Sequence, residues 1–294
     1  MLALDYSMAI EFSSPVRNHY FLLRCVPSSS PCQKVSSASL SVWPEAKLYS
    51  YTDSFNNACH MGSVLHPHME FAIHMRATVE SHYSEGLREG CNPLYKNETK
   101  LTHASDEMLL FLDDALRGFG GAGSPRTIPA GDTLLFAEFL SKRLFSYLDY
   151  IPGETTITTS ASQAFAMKRG VCQDYAHIFA SLCRKTGIAA RYVCGTSTGE
   201  GATHAWAEMY VPEAGGGRWV GIDPTRNRFC DDGYVVLSRG RDFRDCQIDR
   251  GVLSGFASQT MSVFVKTEQL GSGGEDGRTN SERGACRRGE AFGL

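Results

Sequence analysis

Apolar positions in the first 80 residues come in short runs separated by clusters of Ser, Pro and Asn, a pattern typical of β-strands. The runs cover residues 8–12, 20–25, 38–42, 47–51 and 70–77. Residues 53–57, Asp-Ser-Phe-Asn-Asn, predict a hairpin turn, because Asn tolerates the left-handed backbone conformation better than most non-glycine residues. We therefore predict a small antiparallel β domain over residues 1–80, with a sandwich as its expected form.

Helical spacing replaces this pattern after about residue 97. Ser105 is a predicted N-cap, acidic residues follow it, and apolar positions continue to residue 116, where the glycine-rich residues 118–125 end the helix. A second helix is predicted from about Asp132, and its apolar face comprises Leu135, Phe136, Phe139, Leu140 and Leu144. A short third helix is predicted to end near Met167.

The segment from residue 172 to residue 185 has the most regular helical pattern in the chain. Tyr175, Ile178, Phe179 and Leu182 follow at i, i+3, i+4 and i+7, and Gly187 stands at the C-cap position. Strands are predicted after it over residues 188–195, 204–211, 218–225, 233–237 and 261–265. This order predicts an α+β core over residues 81–267. The Gly-, Ser- and charge-rich residues 268–294 are predicted to form a disordered tail.

Composition and charge exclude several classes of protein. The chain has 294 residues, of which 42% are apolar, so it can bury a substantial core. Its net charge of −3 comes from interspersed charges, which argues against a dedicated nucleic-acid-binding module and against a membrane anchor. The chain has no apolar run of about 18 residues, and its first 17 residues are typical of a strand rather than a signal peptide.

The ten cysteines include no CxxC pair, so we expect free thiols and neither a disulfide framework nor a structural zinc site. These features together predict a cytoplasmic protein that needs no metal and no organic cofactor.

Cys172 is the first candidate for chemistry, because it opens the best predicted helix. A free thiol has a pKa of roughly 8.5, and the amide groups and positive dipole of a helix N-terminus favour its thiolate form. A nearby imidazolium lowers the pKa of a thiol further. The backbone N–H of Cys172 could also help to hold an oxyanion. A single cysteine at this position is more often a buried apolar side chain, so the interpretation depends on its neighbours.

His204 and Asp223 supply those neighbours, because each lies on a strand that follows the helix. A four-residue loop over 212–215 would pair residue 211 with 216, and therefore His204 with Asp223. Their Cβ atoms would then lie about 4.5–5.5 Å apart on one face. In the same register Trp206 would lie opposite Gly221, which leaves room for the indole. A carboxylate at this distance holds an imidazole in one orientation and stabilises its charged form.

Other polar residues near Cys172 are assigned weaker or alternative roles. His177 lies more than one turn away along the helix, so we expect it to be structural. Asp174 is interpreted either as a cap of the helix or as a solvated acid in its first turn. Gln173 and Tyr147 are both candidates for a second oxyanion donor, and the residues do not decide between them. We expect substrate specificity to depend on loops such as residues 196–202.

Four segments together resemble the transglutaminase-like superfamily in its bacterial form. They are Gly170-Val-Cys-Gln-Asp-Tyr-Ala-His177, Gly187-Ile-Ala-Ala-Arg-Tyr-Val193, Thr203-His-Ala-Trp-Ala-Glu208 and Ile222-Asp-Pro-Thr225. Residues 239–252 and the N-terminal β segment also resemble this family, so the resemblance covers residues 5–267. It implies a papain-like core with Cys172 as nucleophile, His204 as base and Asp223 as orienting acid. Two departures, Asn56 for Gly and Thr203 for Ser, leave these three positions unchanged.

The resemblance implies an enzyme that attacks peptide or side-chain amides through a thioester, with a protein or peptide as its partner. Water as the acceptor makes it a peptidase or amidase, which is the usual expectation for the bacterial branch. An amine acceptor makes it a protein-glutamine transglutaminase. A non-catalytic interaction module that keeps the fold is the remaining alternative, and the intact Cys172, His204 and Asp223 argue against it. Nothing in the sequence indicates the oligomeric state.

Overall fold

The computed structural model describes residues 1–120 and 126–270, and its N-terminal part is organised around one long strand. The glycine-rich residues 121–125 and residues 271–294 of the predicted tail lie outside the described residues, whereas Glu268 and Gln269, at the predicted start of that tail, belong to the last strand. The N-terminal strands are β1 (Leu2–Leu23), β2 (Gln33–Trp43), β3 (Tyr49–Thr52), β4 (Ala58–Val64) and β5 (His68–Ser81). All pairings among them are antiparallel, as predicted.

Strand β1 belongs to two sheets in turn. Its first half pairs with β5, from Leu2 opposite Val79, and its second half pairs with β4, up to Leu23 opposite His60. The change comes where the register shifts between residues 11 and 16 and Asn18 adopts a left-handed φ of 49°. The predicted runs 8–12 and 20–25 are therefore one continuous strand. Its inward residues from both halves enclose a single hydrophobic core.

The predicted turn at residues 53–57 joins β3 to β4. Asp53 Oδ1 accepts hydrogen bonds from the backbone N–H groups of Phe55 (2.9 Å) and Asn57 (3.0 Å), and Asn56 has a left-handed φ of 64°. Strand β4 was not predicted, because its sequence, Ala-Cys-His-Met-Gly-Ser-Val, mixes small and polar residues and has no strong alternation.

Four helices follow, close to where the apolar spacing predicts them. With two short strands between them, they are α1 (Asp106–Phe119), α2 (Thr133–Tyr147), β6 (Asp149–Tyr150), α3 (Ala161–Met167), β7 (Arg169–Gly170) and α4 (Cys172–Lys185). Ser105 caps α1, since its side chain accepts a hydrogen bond from the Met108 N–H. Helix α4 has the lowest exposure, because it packs between the other helices and the strands that follow.

The core sheet has the strand order β11-β10-β9-β8-β12 and is antiparallel throughout. Its strands are β8 (Ala190–Ser197), β9 (His204–Glu213), β10 (Gly216–Asp223), β11 (Arg228–Phe229) and β12 (Tyr234–Gly240). Helix α4 packs on β8 and β9. The α+β class predicted from the sequence is confirmed.

Two amide side chains from the N-terminal part cover the outer edge of β12. Gln33 bonds both backbone groups of Val236, at 2.8 and 2.9 Å, and Asn57 bonds both backbone groups of Arg239, at 2.7 and 2.8 Å. An edge strand otherwise leaves such groups unpaired. These four hydrogen bonds therefore tie the N-terminal part to the core sheet.

The chain then returns to the N-terminal part through α5 (Phe243–Cys246), β13 (Asp249–Ser254) and β14 (Gln259–Gln269). Strand β14 lies antiparallel to the first half of β1, and β13 lies antiparallel to its second half. The predicted strand at 261–265 exists within β14, and it pairs with β1 rather than with the core sheet, which local alternation cannot tell in advance. The domain boundaries at residues 80 and 267 stay predictions.

Candidate active site

The first turn of α4 is held by a buried carboxylate. Asp174 Oδ2 accepts hydrogen bonds from the Val171 N–H (2.8 Å) and the Thr155 hydroxyl (2.7 Å), and the residue is 1% exposed. Burial raises the pKa of Asp174, although both hydrogen bonds act in the opposite direction. A Cβ on Gly170 would lie 2.7 Å from that of Asp174. Of the two interpretations of Asp174, the helix cap is therefore the one observed.

His204 and Asp223 meet across β9 and β10, although not in the predicted register. The hairpin loop has two residues, because Glu213 lies opposite Gly216, and Ile222 lies opposite Ala207. The predicted pairing of 204 with 223 is therefore wrong by two residues, and continuing the observed register places Asp223 opposite residue 206. The two side chains share a face as predicted, and they are diagonal neighbours, which long polar side chains can bridge.

The contact between them is short and shielded from solvent. His204 Nε2 lies 2.7 Å from Asp223 Oδ2, and the two residues are 3% and 0% exposed. The same carboxylate oxygen accepts a hydrogen bond from the Tyr234 hydroxyl at 2.8 Å, and Thr225 binds the other oxygen. Burial alone would lower the pKa of His204, but the hydrogen bond to Asp223 and the nearby Cys172 thiol raise it to about 10. Burial acts to raise the pKa of Asp223, and the bond to His204 outweighs it and lowers this pKa.

Cys172 lies on the other side of the imidazole ring. Its thiol is near enough to His204 to help raise the pKa of the imidazole, and Cys172 is half-buried, whereas the neighbouring Cys194 and Cys246 are buried. Because Nε2 is occupied by Asp223, Nδ1 is the nitrogen that faces this side. The structure thus brings together the three side chains that the sequence singles out, in the order thiol, imidazole, carboxylate.

Trp206 packs beside the imidazole, and a glycine makes room for it. The His204 and Trp206 rings are 6.1 Å apart at their centroids, and the Trp206 Nε1 group donates a hydrogen bond to the Tyr83 hydroxyl at 2.8 Å. A Cβ on Gly195 would lie 2.5 Å from the indole, whereas a Cβ on Gly221 would collide with Tyr83. The predicted contact of Trp206 with Gly221 is therefore wrong, because it depended on the incorrect register.

A buried network of charges continues along the same face of β9. Glu208, 0% exposed, pairs with Arg191 directly opposite on β8 and with Arg239 on β12 at 3.0 Å. The Tyr83 hydroxyl donates to the same carboxylate, so this network connects to Trp206. Burial alone would raise the pKa of Glu208, but the two arginines lower it to about 2. The sequence places Glu208 on this face. Its partners lie far away along the chain, however, so the sequence does not predict the network.

Two further charged residues at the site were not predicted. Glu200, in the loop before β9, places Oε2 at 3.4 Å from His204 Nδ1. Arg226 binds Glu200 through Nη2 at 2.5 Å and lies 3.6 Å from Asp223 Oδ2. The one available signal was the position of Glu200 in the loop 196–202, on which substrate specificity is expected to depend.

The three remaining candidate residues, His177, Tyr147 and Gln173, lie in different surroundings. His177 Nε2 accepts a hydrogen bond from the Phe243 N–H at 3.0 Å, and burial lowers its pKa to about 3, so it is neutral and structural. The Tyr147 ring stacks on Phe165 at 4.6 Å, within the helices rather than at the thiol. Gln173 stays beside Cys172 in the first turn of α4 and is 9% exposed.

Over residues 1–120 and 126–270, no group of three or more His, Cys, Asp and Glu side chains is arranged to hold a metal ion. No helix within these ranges is long and apolar enough to cross a membrane.

Two family models match the chain in the regions described above. The transglutaminase-like superfamily matches residues 127–224, which include Cys172, His204 and Asp223, and the bacterial transglutaminase-like N-terminal region matches residues 2–80.

Similar proteins of known sequence come from mycobacteria and are uncharacterised. A protein of Mycobacterium tuberculosis is 32% identical over 154 residues, which are 48% of this chain and 48% of that protein. The match thus spans about half the length of that relative. A protein of Mycobacterium leprae is 26% identical over 283 residues, which are 90% of this chain and 97% of that protein.

A similar solved structure is that of a candidate cysteine protease from Cytophaga hutchinsonii. The two chains superpose with a TM-score of 0.70 over 95% of this chain and 93% of that one, at 20% identity. At this identity the likeness shows a shared fold.

Proposed function

The chain belongs to the transglutaminase-like superfamily, and from this premise we propose that it is a cysteine-nucleophile acyl-transfer enzyme. Its substrates are peptide or side-chain amides, and water is the acceptor, which makes it a peptidase or amidase. The observation that carries this proposal is the position of His204 between the Cys172 thiol and the Asp223 carboxylate, 2.7 Å from the latter.

In this proposal the Cys172 thiolate attacks the amide carbonyl carbon, and the carbonyl electrons move onto oxygen. The Cys172 N–H, at the open start of α4, donates to that oxyanion. When the tetrahedral intermediate collapses, the C–N bond breaks, and His204 Nδ1 gives its proton to the departing amine. This leaves a thioester on Cys172 and a neutral imidazole.

The second half of the reaction uses the same nitrogen as a base. His204 Nδ1 takes a proton from water, the resulting hydroxide adds to the thioester carbonyl, and the carboxylic acid leaves as the Cys172 thiolate is restored. Asp223 acts through His204 in both halves, because its bond to Nε2 fixes the ring and stabilises the imidazolium.

We further propose the cytoplasm as the location of the protein. All nine cysteines within the described residues are free thiols, and most of them are buried in the core. Cellular fractionation with a thiol count on the isolated protein tests this, and recovery in an oxidising compartment would contradict it.

The experiment that tests the catalytic proposal is alkylation by iodoacetamide from pH 5 to pH 9, read for each cysteine by mass spectrometry. We expect Cys172 to react at pH 6 about 100-fold faster than Cys91, a partly exposed cysteine whose thiol pKa is raised by burial. His204→Ala should remove this advantage. An equally slow reaction of both thiols at pH 6 would reject the enzyme and favour a non-catalytic module.

Peptide and glutamine-side-chain amides are then supplied to the wild type, with and without an amine. Release of ammonia or of a peptide without incorporation of the amine is expected. Efficient incorporation of the amine would instead identify a transglutaminase.

A further inference from the structure

Two carboxylates flank His204, and only one of them can meet a substrate. Asp223, at Nε2, is completely buried, whereas the Glu200 side chain, 3.4 Å from Nδ1, is 29% exposed. Nδ1 is the nitrogen on the side of Cys172. Glu200 therefore lies at the open side of the site, where the reacting groups must enter.

The loop holds Glu200 in this position and keeps the space around it free. The Ser197 hydroxyl and Arg226 Nη2 both bind Oε2, at 3.0 and 2.5 Å. A Cβ added to Gly199 or to Gly201 would meet no atom within 4 Å. The carboxylate is thus held by two hydrogen-bond donors. No other part of the described chain packs closely against the glycines on either side of it.

The geometry also relates Glu200 to the departing amine. A proton passes from Nδ1 to the amine nitrogen at a separation of about 3 Å. Since Oε2 is 3.4 Å from Nδ1, the departing nitrogen lies within about 6.5 Å of Oε2, whichever direction it takes. A cationic group a few bonds beyond this nitrogen can reach Glu200.

The charges of the site favour such a cation. Arg226 is shared between Glu200 and Asp223, so one guanidinium faces two carboxylates. The neighbouring Arg228 has its own carboxylate partner, Asp231, at 3.5 Å. Thiolate and imidazolium cancel each other, and in the thioester state both groups are neutral. One negative charge therefore stays unmatched throughout the reaction.

We propose that Glu200 forms the subsite for the amine component and selects amides whose departing amine carries a positive charge nearby. This inference rests on the proposed function, and it assigns Glu200 to substrate recognition rather than to the reaction itself. The substrate class is a peptide or side-chain amide with an ammonium or guanidinium group within a few bonds of the scissile nitrogen, on the departing side.

Charged thiol reagents test this without knowledge of the substrate. The probes are methanethiosulfonates that carry a trimethylammonium or a sulfonate group; the Cys172 thiolate forms a disulfide with either reagent, and methanesulfinate leaves. Rates at Cys172 are measured on the full chain by mass spectrometry at pH 6 and pH 9. We expect the cationic reagent to be faster in the wild type. The ratio of the two rates should fall about tenfold in Glu200→Gln and stay near the wild-type value in Glu200→Asp.

Glu213→Gln is the matched control, because Glu213 is 28% exposed and also pairs with arginines, away from the thiol. It should leave the ratio unchanged. An unchanged ratio in Glu200→Gln would overturn the proposal. So would an equal loss for both charged reagents and for neutral iodoacetamide, since Glu200 would then act only through His204.

A different result would contradict the proposed function, namely a slow reaction of wild-type Cys172 with iodoacetamide at pH 6. The charge ratio at pH 9, where ordinary thiols ionise, still reports on Glu200 in that case.

Discussion

Strand β9 carries two networks of charged side chains on one face, and they differ in what the protein can do with them. In the first, Glu208 lies between two arginines, which keep their charge at physiological pH, and the neutral Tyr83 hydroxyl. In the second, Asp223 faces an imidazole that itself faces a thiol, so a proton can move. The carboxylate of the first network is closed to solvent, whereas the second network opens at Cys172 and Glu200.

The comparison indicates that one sheet holds a charge network that stabilises the fold and, apart from it, a network that can react. A buried carboxylate is tolerated only when its charge is compensated, and both networks satisfy this requirement. Arginine compensates the charge permanently. Histidine compensates it only while the imidazole is protonated. The imidazole can release this proton, which is the property that proton transfer needs. Removing a member of the first network should therefore affect folding, and removing a member of the second should affect chemistry.

The largest expected effect is that of Cys172→Ala on catalysis. We expect amide hydrolysis to fall by about 10⁶-fold, because without the thiol no thioester forms. The free energy of unfolding should change by less than about 1 kcal/mol, since the side chain is only half-buried. Single-turnover kinetics and urea unfolding measure the two quantities. Residual activity within tenfold of the wild type would contradict the role of Cys172.

Asp223→Asn should lower activity by up to about 10⁴-fold, because the amide neither fixes the ring in the required tautomer nor stabilises the imidazolium. The pKa of His204 is raised to about 10 with Asp223 in place. Without the carboxylate this pKa falls, so the alkaline limit of activity should move to lower pH. A pH–rate profile measures this shift, and an alkaline limit that stays near pH 10 would contradict it.

The raised pKa of His204 also makes the free energy of unfolding depend on pH. Protonation of His204 stabilises the folded state fully below the unfolded pKa of about 6.5, and this contribution disappears as the pH rises through about 10. The difference in unfolding free energy between the wild type and Asp223→Asn should therefore shrink from pH 6.5 to pH 10. Urea unfolding at several pH values tests this, and a constant difference would argue against the assignment.

Glu208→Gln should destabilise the protein by about 3–5 kcal/mol, because it removes a buried carboxylate that pairs with Arg239 and Arg191 and leaves Arg191 only its pair with Glu89. Urea unfolding measures the loss. Glu200→Gln is the comparison, since that side chain is partly exposed, and it should cost about 1 kcal/mol or less. Equal losses in the two variants would remove the distinction between the networks.

Tyr83→Phe is a milder change in the first network than Glu208→Gln, because it removes only the hydroxyl between Trp206 and Glu208. It leaves the Trp206 N–H unpaired and should cost about 1–3 kcal/mol of stability. The rate of Cys172 alkylation should stay within about twofold of the wild type if the two networks are independent. A larger change in the alkylation rate would show that the first network also positions the imidazole.

The prediction from sequence succeeded where the signal is local. The N-cap at Ser105, the turn at 53–57 and the extent of α4 each depend on residues a few positions apart. It was wrong where a count of one or two residues in a loop decides the result. The loop between β9 and β10 has two residues instead of four, which moved the partner of Trp206 from Gly221 to Gly195.

The sequence by itself determined most of the helices, many of the strands and the three polar positions of the site, because hydrophobic periodicity and caps are written within single segments. His204 and Asp223 reached the same face despite the wrong register, since a shift of two residues preserves the alternation of a strand. Only the tertiary structure decided that the chain returns to β1 through β13 and β14, and that Glu208 meets Arg191 and Arg239. The same holds for Glu200 at Nδ1. These contacts join segments far apart in sequence, and their geometry follows from how the sheets pack.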